Sequence, residues 1–152
     1  MEKHKKTPRH LSRSLAVQGM YYYKLNQTSV IEIEAYLSNI NQGLYEKANY
    51  ELLHYLLEHS IHDFDAMLAL YTEYLERELV AVNLVEQIIL VIAAVELTYS
   101  MSVPAVVIVN EAVELTKLYG AEDSYKFINS LVDRAAKKIR PNEAIRSSRS
   151  NG

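Results

Sequence analysis

The chain has 152 residues, of which 49% are hydrophobic, and its formal net charge is −3. This length fits one domain with a sizeable buried core. The sequence contains no cysteine, which excludes disulfides, thiolate zinc sites and cysteine nucleophiles and fits a cytoplasmic protein. Its most apolar run, residues 88–95, is far shorter than the roughly 20 residues that cross a bilayer, so we expect no membrane partner.

Positive charge is concentrated at the two ends of the chain. Residues 1–13 carry a net charge of +4 and residues 134–152 carry +5, which leaves −12 for the residues between them. Basic ends are suited to phosphate, whereas an acidic middle repels it. Charge therefore predicts two surfaces with different partners; the alternative is that charged termini only keep the chain soluble.

Glycine and proline are sparse, at four and three residues, which favours long helices with few breaks. Thr7 precedes Pro8, and together they predict a capped first helix that begins at Pro8. Its apolar stripe leaves Arg9, Arg13 and Lys24 to one side, so we expect these three basic side chains on the polar face of the helix.

The next helices follow from caps and apolar spacing. Ser29 and Glu32 have the spacing of a capping box, which predicts a short second helix. The segment 83–99 is apolar almost all round and belongs in the centre of a bundle; a buried strand is the alternative, but its length favours a helix. Apolar spacing predicts three helices in this part of the chain, over about 47–60, 63–78 and 83–99.

Two further helices complete the predicted fold. Pro104 opens the first of them, which runs to Tyr119 and stops at Gly120 as a C-cap. The last helix starts around Ser124 and ends at Pro141. The sequence thus predicts an all-α fold, a helical bundle of about seven helices.

Motifs for catalysis or cofactor binding are missing. The sequence has no glycine-rich nucleotide motif, no nucleophile elbow and no HExxH pair. His54, His59 and His62 are the one cluster with metal potential, but the first two do not share a helix face and the third follows a predicted break. We therefore expect no enzyme activity, no cofactor and no metal site.

Tyrosine is unusually abundant, with twelve residues against two phenylalanines and no tryptophan. On a helix, Tyr21, Tyr22 and Tyr23 fan over about 200°, so at least one of them is exposed. An aromatic ring near lysine and arginine can hold single-stranded RNA, because bases stack on the ring while the cations neutralise phosphates. The alternative is that most of these tyrosines belong to the core.

Three stretches of the chain resemble the NusB family of transcription antitermination factors. The opening helix, RHLSRSLAVQGMYYY at 9–23, has the family's arginine-rich start and A-x-Q-x-hydrophobic-Tyr pattern. The central helix, NLVEQIILVIAAVEL at 83–97, ends in the family's Glu-Leu pair. The segment 103–140 is similar to the family signature in its VP opening and in its NEAVEL and GAEDSYKFIN elements.

This resemblance implies a fold of two packed subdomains and a function in transcription. It implies binding to single-stranded boxA RNA of nascent ribosomal transcripts, a heterodimer with the ribosomal protein NusE, and a place in the transcription elongation complex, with no cofactor, no catalysis and no DNA partner. We expect a NusB-like RNA-binding domain over 8–141, flanked by a basic flexible arm at 1–7 and a flexible tail at 142–152.

The resemblance also assigns roles to individual residues. Asp123 has three open roles, since it can cap the last helix, accept hydrogen bonds from base edges or restrain RNA affinity. The positions similar to protein-partner contacts are Tyr74 and Glu86. The positions similar to RNA contacts, or able to assist them, are Lys5, Lys6, Arg9, His10, Arg13, Tyr21, Glu122, Asp123, Lys126 and Phe127.

The chain departs from the family pattern at several charged positions. Val91 and Val95 stand where the family often has an arginine and a tyrosine, and Arg9, His10 and Leu11 stand where its arm often has three arginines. Fewer permanent charges predict weaker RNA binding by the chain alone and a stronger dependence on the protein partner.

Two hypotheses about function follow. In the first, the basic opening helix and the region 120–127 converge into one RNA surface, while the acidic central helices recruit the ribosomal partner. In the alternative, the chain is a helical protein-protein adaptor without sequence-specific RNA binding, and its basic ends serve solubility. RNA binding that ignores sequence would favour the adaptor.

Overall fold

The computed structural model describes residues 7–75 and 82–143, and these residues form helices and no strand. The prediction of an all-α fold with about seven helices is confirmed. The chain divides into two compact units, one up to His62 and the other from Asp63. The α-helices are α1 Pro8–Asn26, α2 Val30–Ile40, α3 Tyr50–His62, α4 Phe64–Ala69, α5 Leu84–Tyr99, α6 Ala105–Tyr119 and α7 Ser124–Ile139.

Side-chain caps start the first two helices of the first unit, as predicted. The Thr7 hydroxyl accepts a hydrogen bond from the His10 amide at 3.0 Å, and Pro8 takes the first helical position. The Ser29 hydroxyl accepts from the Glu32 amide at 3.2 Å. Each cap satisfies one of the amides that a helix start leaves unbonded, so both helices begin where the sequence places them.

Gly19 lets the three helices of the first unit approach closely. A Cβ atom on Gly19 would lie 2.9 Å from Ile33 of α2 and 3.0 Å from Leu57 of α3. Ser12 adds a polar link, because its hydroxyl donates to the Asn49 carbonyl at 2.6 Å and accepts from the Asn49 amide at 2.8 Å. Small residues on α1 therefore set how α2 and α3 pack against it.

The third helix begins three residues later than predicted. A 3₁₀ turn occupies Tyr45–Lys47, and α3 starts at Tyr50, whose side chain is 48% exposed. The expected apolar register, with Tyr50 in the core, is wrong at this end. The buried positions of α3 are Leu52, Leu53, Leu56, Leu57 and Ser60.

Helix α5 forms the centre of the second unit. The Asn83 side chain caps it by accepting from the Glu86 amide at 2.9 Å. The prediction that this helix is buried on all sides is confirmed, because each residue from Ile88 to Leu97 is buried. A helix without a polar face gains its stability from neighbours all round it.

The fourth predicted helix is shorter than the sequence suggests. Helix α4 ends at Ala69, and a 3₁₀ turn follows over Thr72–Tyr74. Between them, Tyr71 is fully buried and its hydroxyl donates to the Leu90 carbonyl at 2.7 Å. We attribute the break to this tertiary anchor, since the segment has no glycine or proline.

Gly120 ends α6 at the predicted position, but not through a left-handed conformation. Its backbone is extended, with φ −87° and ψ −178°. A Cβ atom there would lie 2.9 Å from both the side chain and the carbonyl oxygen of Thr116, so close approach requires glycine. The left-handed residue of this loop is Asp123, with φ 71°.

Candidate nucleic-acid interface

A groove of about 680 Å³ lies beside α7 in the second unit. Three residues predicted at the RNA edge, Glu122, Asp123 and Phe127, line it together. Lys126, the fourth, is exposed one position away on the same helix. The other lining residues are Tyr74, Ser124, Ser130, Leu131 and Arg134.

The groove combines the chemical groups that bind unpaired nucleotides. Two aromatic residues, Phe127 and Tyr74, offer rings on which a base can stack, and Arg134 offers a permanent positive charge. Carboxylates and hydroxyls at its edge can bond to base edges or to ribose. The arrangement therefore suits one or a few bases of a single strand better than a regular duplex.

The loop before α7 presents two exposed carboxylates from a fixed turn. The Ala121 carbonyl accepts from the Ser124 amide at 3.1 Å and from the Ser124 hydroxyl at 2.8 Å. Glu122 and Asp123 lie between these two ends and are exposed. Asp123 makes no side-chain cap hydrogen bond, so of its three open roles the helix cap is not observed.

Glu86, predicted to face a protein partner, is 4% exposed. One of its carboxylate oxygens accepts from the Ala121 amide at 3.3 Å, which ties α5 to the loop between α6 and α7. Sequence reasoning missed this contact because the two residues are 35 positions apart. In this structure the side chain is directed into the second unit.

Tyr74 is half-exposed and lies between two depressions. It lines the groove beside α7 and also a smaller one of about 440 Å³, which includes Leu70 and Ile139. Partial burial and the adjacent Glu73 carboxylate raise the pKa of the Tyr74 hydroxyl. The Lys138 ammonium group donates a hydrogen bond to the Glu73 carboxylate at 2.6 Å, and this lysine lowers the pKa of the Glu73 carboxyl.

The predicted RNA residues of the first unit lie on α1 in different environments. Arg9 is exposed, His10 is half-buried and Arg13 is 4% exposed. The expectation that Arg13 lies on the polar face is wrong, because its side chain belongs to the buried side of α1. Arg9 thus offers an accessible cation, whereas Arg13 does not in this conformation. Lys5 and Lys6 lie outside the described residues.

The tyrosine triplet divides as expected, with one ring well exposed. Tyr21 is 41% exposed, while Tyr22 stacks on Tyr36 with ring centroids 4.0 Å apart. Tyr21 follows Arg9 by twelve residues, which is about 18 Å along a helix. The two side chains can therefore meet one RNA strand only at points several nucleotides apart.

The histidines of α3 have partners other than a metal ion. The ring nitrogens of His54 face Glu34 at 3.1 Å and Glu58 at 3.2 Å, and the ring of His59 packs on Tyr55. Among residues 7–75 and 82–143, no group of three or more histidine or acidic side chains is arranged to hold a metal. The helices of these residues are too short or too polar to span a membrane.

Arg134, Ser124 and Ser130 belong to the groove but were not predicted as site residues. The helical spacing of Phe127, Ser130 and Arg134 was the available signal, because positions three or four apart share one face. In the sequence, Arg134 stands out only as the first residue of the basic C-terminal end, 134–152. Its place in the groove depends on where α7 packs, which spacing alone does not give.

Comparison with known proteins supports a single family. The sequence profile described as the NusB family matches residues 10–137. The transcription antitermination protein NusB of Burkholderia vietnamiensis is 41% identical over 139 residues, 91% of this chain and 94% of that protein. Its counterpart from Burkholderia lata is 40% identical over 97% of this chain and 99% of that protein.

A solved structure shows the same fold. The structure titled T. maritima NusB superposes with a TM-score of 0.75 at 26% sequence identity, and the match covers 93% of this chain and 99% of the other. Profile, relatives and fold agree over nearly the whole described length. The chain belongs to the NusB family.

Proposed function

We propose that the protein is a cytoplasmic transcription antitermination factor that binds single-stranded boxA RNA together with the ribosomal protein NusE, without catalysing a reaction. Family membership over residues 10–137 supports the role in antitermination. The observation that carries the RNA proposal is the groove beside α7, which brings Glu122, Asp123 and Phe127 together with Arg134.

The chemistry of the groove suits selective binding of bases. Phe127 stacks on a base, and Arg134 and the exposed Lys126 neutralise phosphates on either side of it. Asp123 and Glu122 repel phosphate but accept hydrogen bonds from base amino groups. RNA therefore gains affinity at this edge only when a base with suitable donors stands beside the carboxylates, which makes binding depend on sequence.

Residues of the first unit add contacts outside the groove. Arg9 is accessible for a phosphate contact and Tyr21 for a stacked base, while Lys5, Lys6 and His10 stay predicted contacts of the basic end. Convergence of these residues with the region 120–127 stays a prediction. In the described conformation Arg13 makes no RNA contact, because its side chain is buried. It would reach RNA only if α1 rearranged.

NusE is the proposed protein partner, and Tyr74, half-exposed at the edge of the groove, stays its predicted contact. The acidic middle of the chain is complementary to a basic ribosomal protein. Joining two weak RNA surfaces in one complex raises the effective concentration of each, so the pair binds RNA more tightly than either protein alone. In this way the complex holds nascent RNA near the elongating polymerase.

Substitution of Phe127 tests the groove. Phe127→Leu keeps apolar bulk but removes the flat ring, and we expect boxA RNA binding to weaken about tenfold, as loss of one stacked base implies. Fluorescence anisotropy with labelled RNA at near-physiological salt measures the change. Tyr125→Leu is the matched control, because its ring lies about 200° round α7 and packs under Lys117 instead of lining the groove.

The result separates the proposal from the adaptor hypothesis. Weakened RNA binding by Phe127→Leu with NusE binding intact supports the division of surfaces. Equal effects of the two substitutions would place RNA outside the groove. Equal binding of boxA and scrambled RNA by the unaltered protein would favour a helical protein-protein adaptor without sequence-specific RNA binding.

A further inference from the structure

We infer that Glu86 is a positioning residue for RNA recognition, because it fixes the loop that presents Glu122 and Asp123 to the groove. The inference rests on the proposed function at that groove. Glu86 is 4% exposed at the start of α5, so the residue itself offers little surface to a ligand or to a partner. Its effect passes through the backbone of Ala121.

The backbone of Ala121 is bonded on both sides. Its amide donates to the Glu86 carboxylate at 3.3 Å, and its carbonyl accepts from the amide and the hydroxyl of Ser124. The second pair of bonds is local, spanning three residues at the start of α7. The first bond joins residues 35 positions apart and orients the whole turn relative to α5.

Glu122 and Asp123 lie within this bonded turn. Their side chains are exposed and line the groove, and Asp123 holds a left-handed backbone at φ 71°, which non-glycine residues adopt uncommonly. Such a conformation persists where surrounding bonds determine it. Gly120, with no room for a Cβ atom, closes the other end of the turn against Thr116.

The acceptor on Glu86 therefore sets the direction of two carboxylates that it does not touch. With the acceptor in place, the carboxylates occupy fixed positions at the groove edge and discriminate between bases. Without it, the turn keeps its local bonds to Ser124 but loses its tie to α5, and the carboxylates move with it. Discrimination between RNA sequences falls more than overall RNA affinity, because the cations and rings of the groove are untouched.

Two substitutions of Glu86 isolate this role. Glu86→Ala removes the acceptor, whereas Glu86→Gln keeps an oxygen at the same reach. By NMR hydrogen exchange, we expect the Ala121 amide to exchange about tenfold faster in Glu86→Ala and within about threefold of the unaltered protein in Glu86→Gln, the size that one hydrogen bond implies. Gln87→Ala, the adjacent position of α5, is the control and leaves that amide unchanged.

The same variants are then tested for the ratio of boxA to scrambled RNA binding, with far-UV circular dichroism to establish that each is folded. We expect the ratio to fall about fivefold in Glu86→Ala and to recover in Glu86→Gln, again on the scale of one hydrogen bond. A folded Glu86→Ala with unchanged Ala121 exchange, or with faster exchange but an unchanged ratio, would overturn the inference. So would a Glu86→Gln variant as impaired as Glu86→Ala.

Failure of the proposed function gives a different result. If the unaltered protein binds boxA and scrambled RNA equally, the function is wrong, and the RNA-positioning role is overturned with it. The exchange rate of the Ala121 amide still decides whether Glu86 fixes the loop. The two readouts therefore distinguish a wrong function from a wrong structural tie.

Discussion

The Arg140 side chain is 1% exposed, and its guanidinium group donates hydrogen bonds to buried carbonyls at the end of a helix. It donates to the last turn of α5 and to the loop after it, and it pairs with Glu143 at 3.2 Å. Glu143 in turn accepts from the Ala105 amide at the start of α6. The carbonyl acceptors of Arg140 are those of Glu96, Leu97, Ser100 and Val103.

Arg140→Ala should destabilise the protein strongly. Its loss removes the donors of the Leu97 and Val103 carbonyls, while those of Glu96 and Ser100 keep one backbone donor each. We expect the free energy of unfolding to fall by about 3 kcal/mol. Urea denaturation measures the change. Lys137→Ala is the control, because Lys137 is 53% exposed and its pairing with Asp133 contributes about 0.5 kcal/mol or less. A similar, small effect of both substitutions would contradict the role given to Arg140.

Because Tyr71 is buried, we expect the stability of the protein to depend on pH in the alkaline range. Complete burial raises the pKa of its hydroxyl above the ordinary value of 10.0. Because the folded state holds this proton more tightly than the unfolded chain, the stabilisation is present below pH 10 and is lost as the pH rises above it.

Tyr71→Phe tests this linkage. The variant should be about 1 kcal/mol less stable at pH 8, because it lacks the hydrogen bond to Leu90, and the difference should shrink as the pH rises towards 11. Chemical denaturation at a series of pH values measures both proteins. Parallel stability curves from pH 8 to 11 would show that burial does not hold the Tyr71 proton.

Local sequence signals identified the caps of α1 and α2 correctly but not the one considered at Asp123, and they identified buried polar residues poorly. The hydroxyls of Thr7 and Ser29 accept from amides three residues later, so the residue types at this spacing are enough to predict the caps. Glu86 is buried because a loop 35 residues distant meets it, and Arg13 lies on the buried side of α1 although it carries a charge. No local pattern distinguishes such residues from a solvent-exposed charge.

At the scale of helices, Gly19 is the position where packing is tightest in the first unit. Gly19→Ala should stabilise the helix by about 1 kcal/mol through the higher helix propensity of alanine. Its Cβ atom, however, would lie 2.9 Å from Ile33 and 3.0 Å from Leu57. Overpacking of this kind costs about 1–3 kcal/mol, so we expect a net loss of stability.

Thermal denaturation of Gly19→Ala and a control variant measures this cost. Gly43→Ala serves as the control, because nothing lies within 4 Å of its Cβ position and only its positive φ of 86° opposes alanine. Adding Leu57→Ala to Gly19→Ala should relieve part of the overpacking, so the two effects should not be additive. A Gly19→Ala variant more stable than the original protein would contradict the packing argument.

The elements that the sequence predicted best are those with caps and long apolar stripes. Helices α1 and α2 begin at the predicted residues, and α5, α6 and α7 begin and end within about two residues of expectation. The break after α4 was missed, because a buried tyrosine bonded to a distant carbonyl interrupts the helix where no glycine or proline stands. Similarly, the groove requires α7 and Tyr74 to meet, which helical spacing does not reveal.

For the whole molecule, the distribution of charge predicts how RNA binding responds to salt. Each phosphate contact contributes about 0.7 to the slope of log affinity against log salt for a single strand. We expect Arg9→Ala and Lys126→Ala each to lower the slope by about this amount, because both side chains are exposed. Filter binding over a range of salt concentrations measures the slope.

Lys117→Ala is the control for the salt experiment, since its ammonium group lies over the Tyr125 ring at 4.9 Å. Its slope should equal that of the original protein. Unchanged slopes for Arg9→Ala and Lys126→Ala would show that neither side chain contacts phosphate, and would leave the basic ends a role in solubility.

The measurement that tests the central claim most directly is the affinity of the protein for boxA RNA and for a scrambled RNA, each with and without NusE, at near-physiological salt. Because the groove selects bases, we expect the protein to prefer boxA to the scrambled RNA. Because the partner adds a second RNA surface, we expect this preference to strengthen when NusE is present. Equal, weak binding to both RNAs, unaffected by NusE, would contradict the account and would leave only the fold and the family standing.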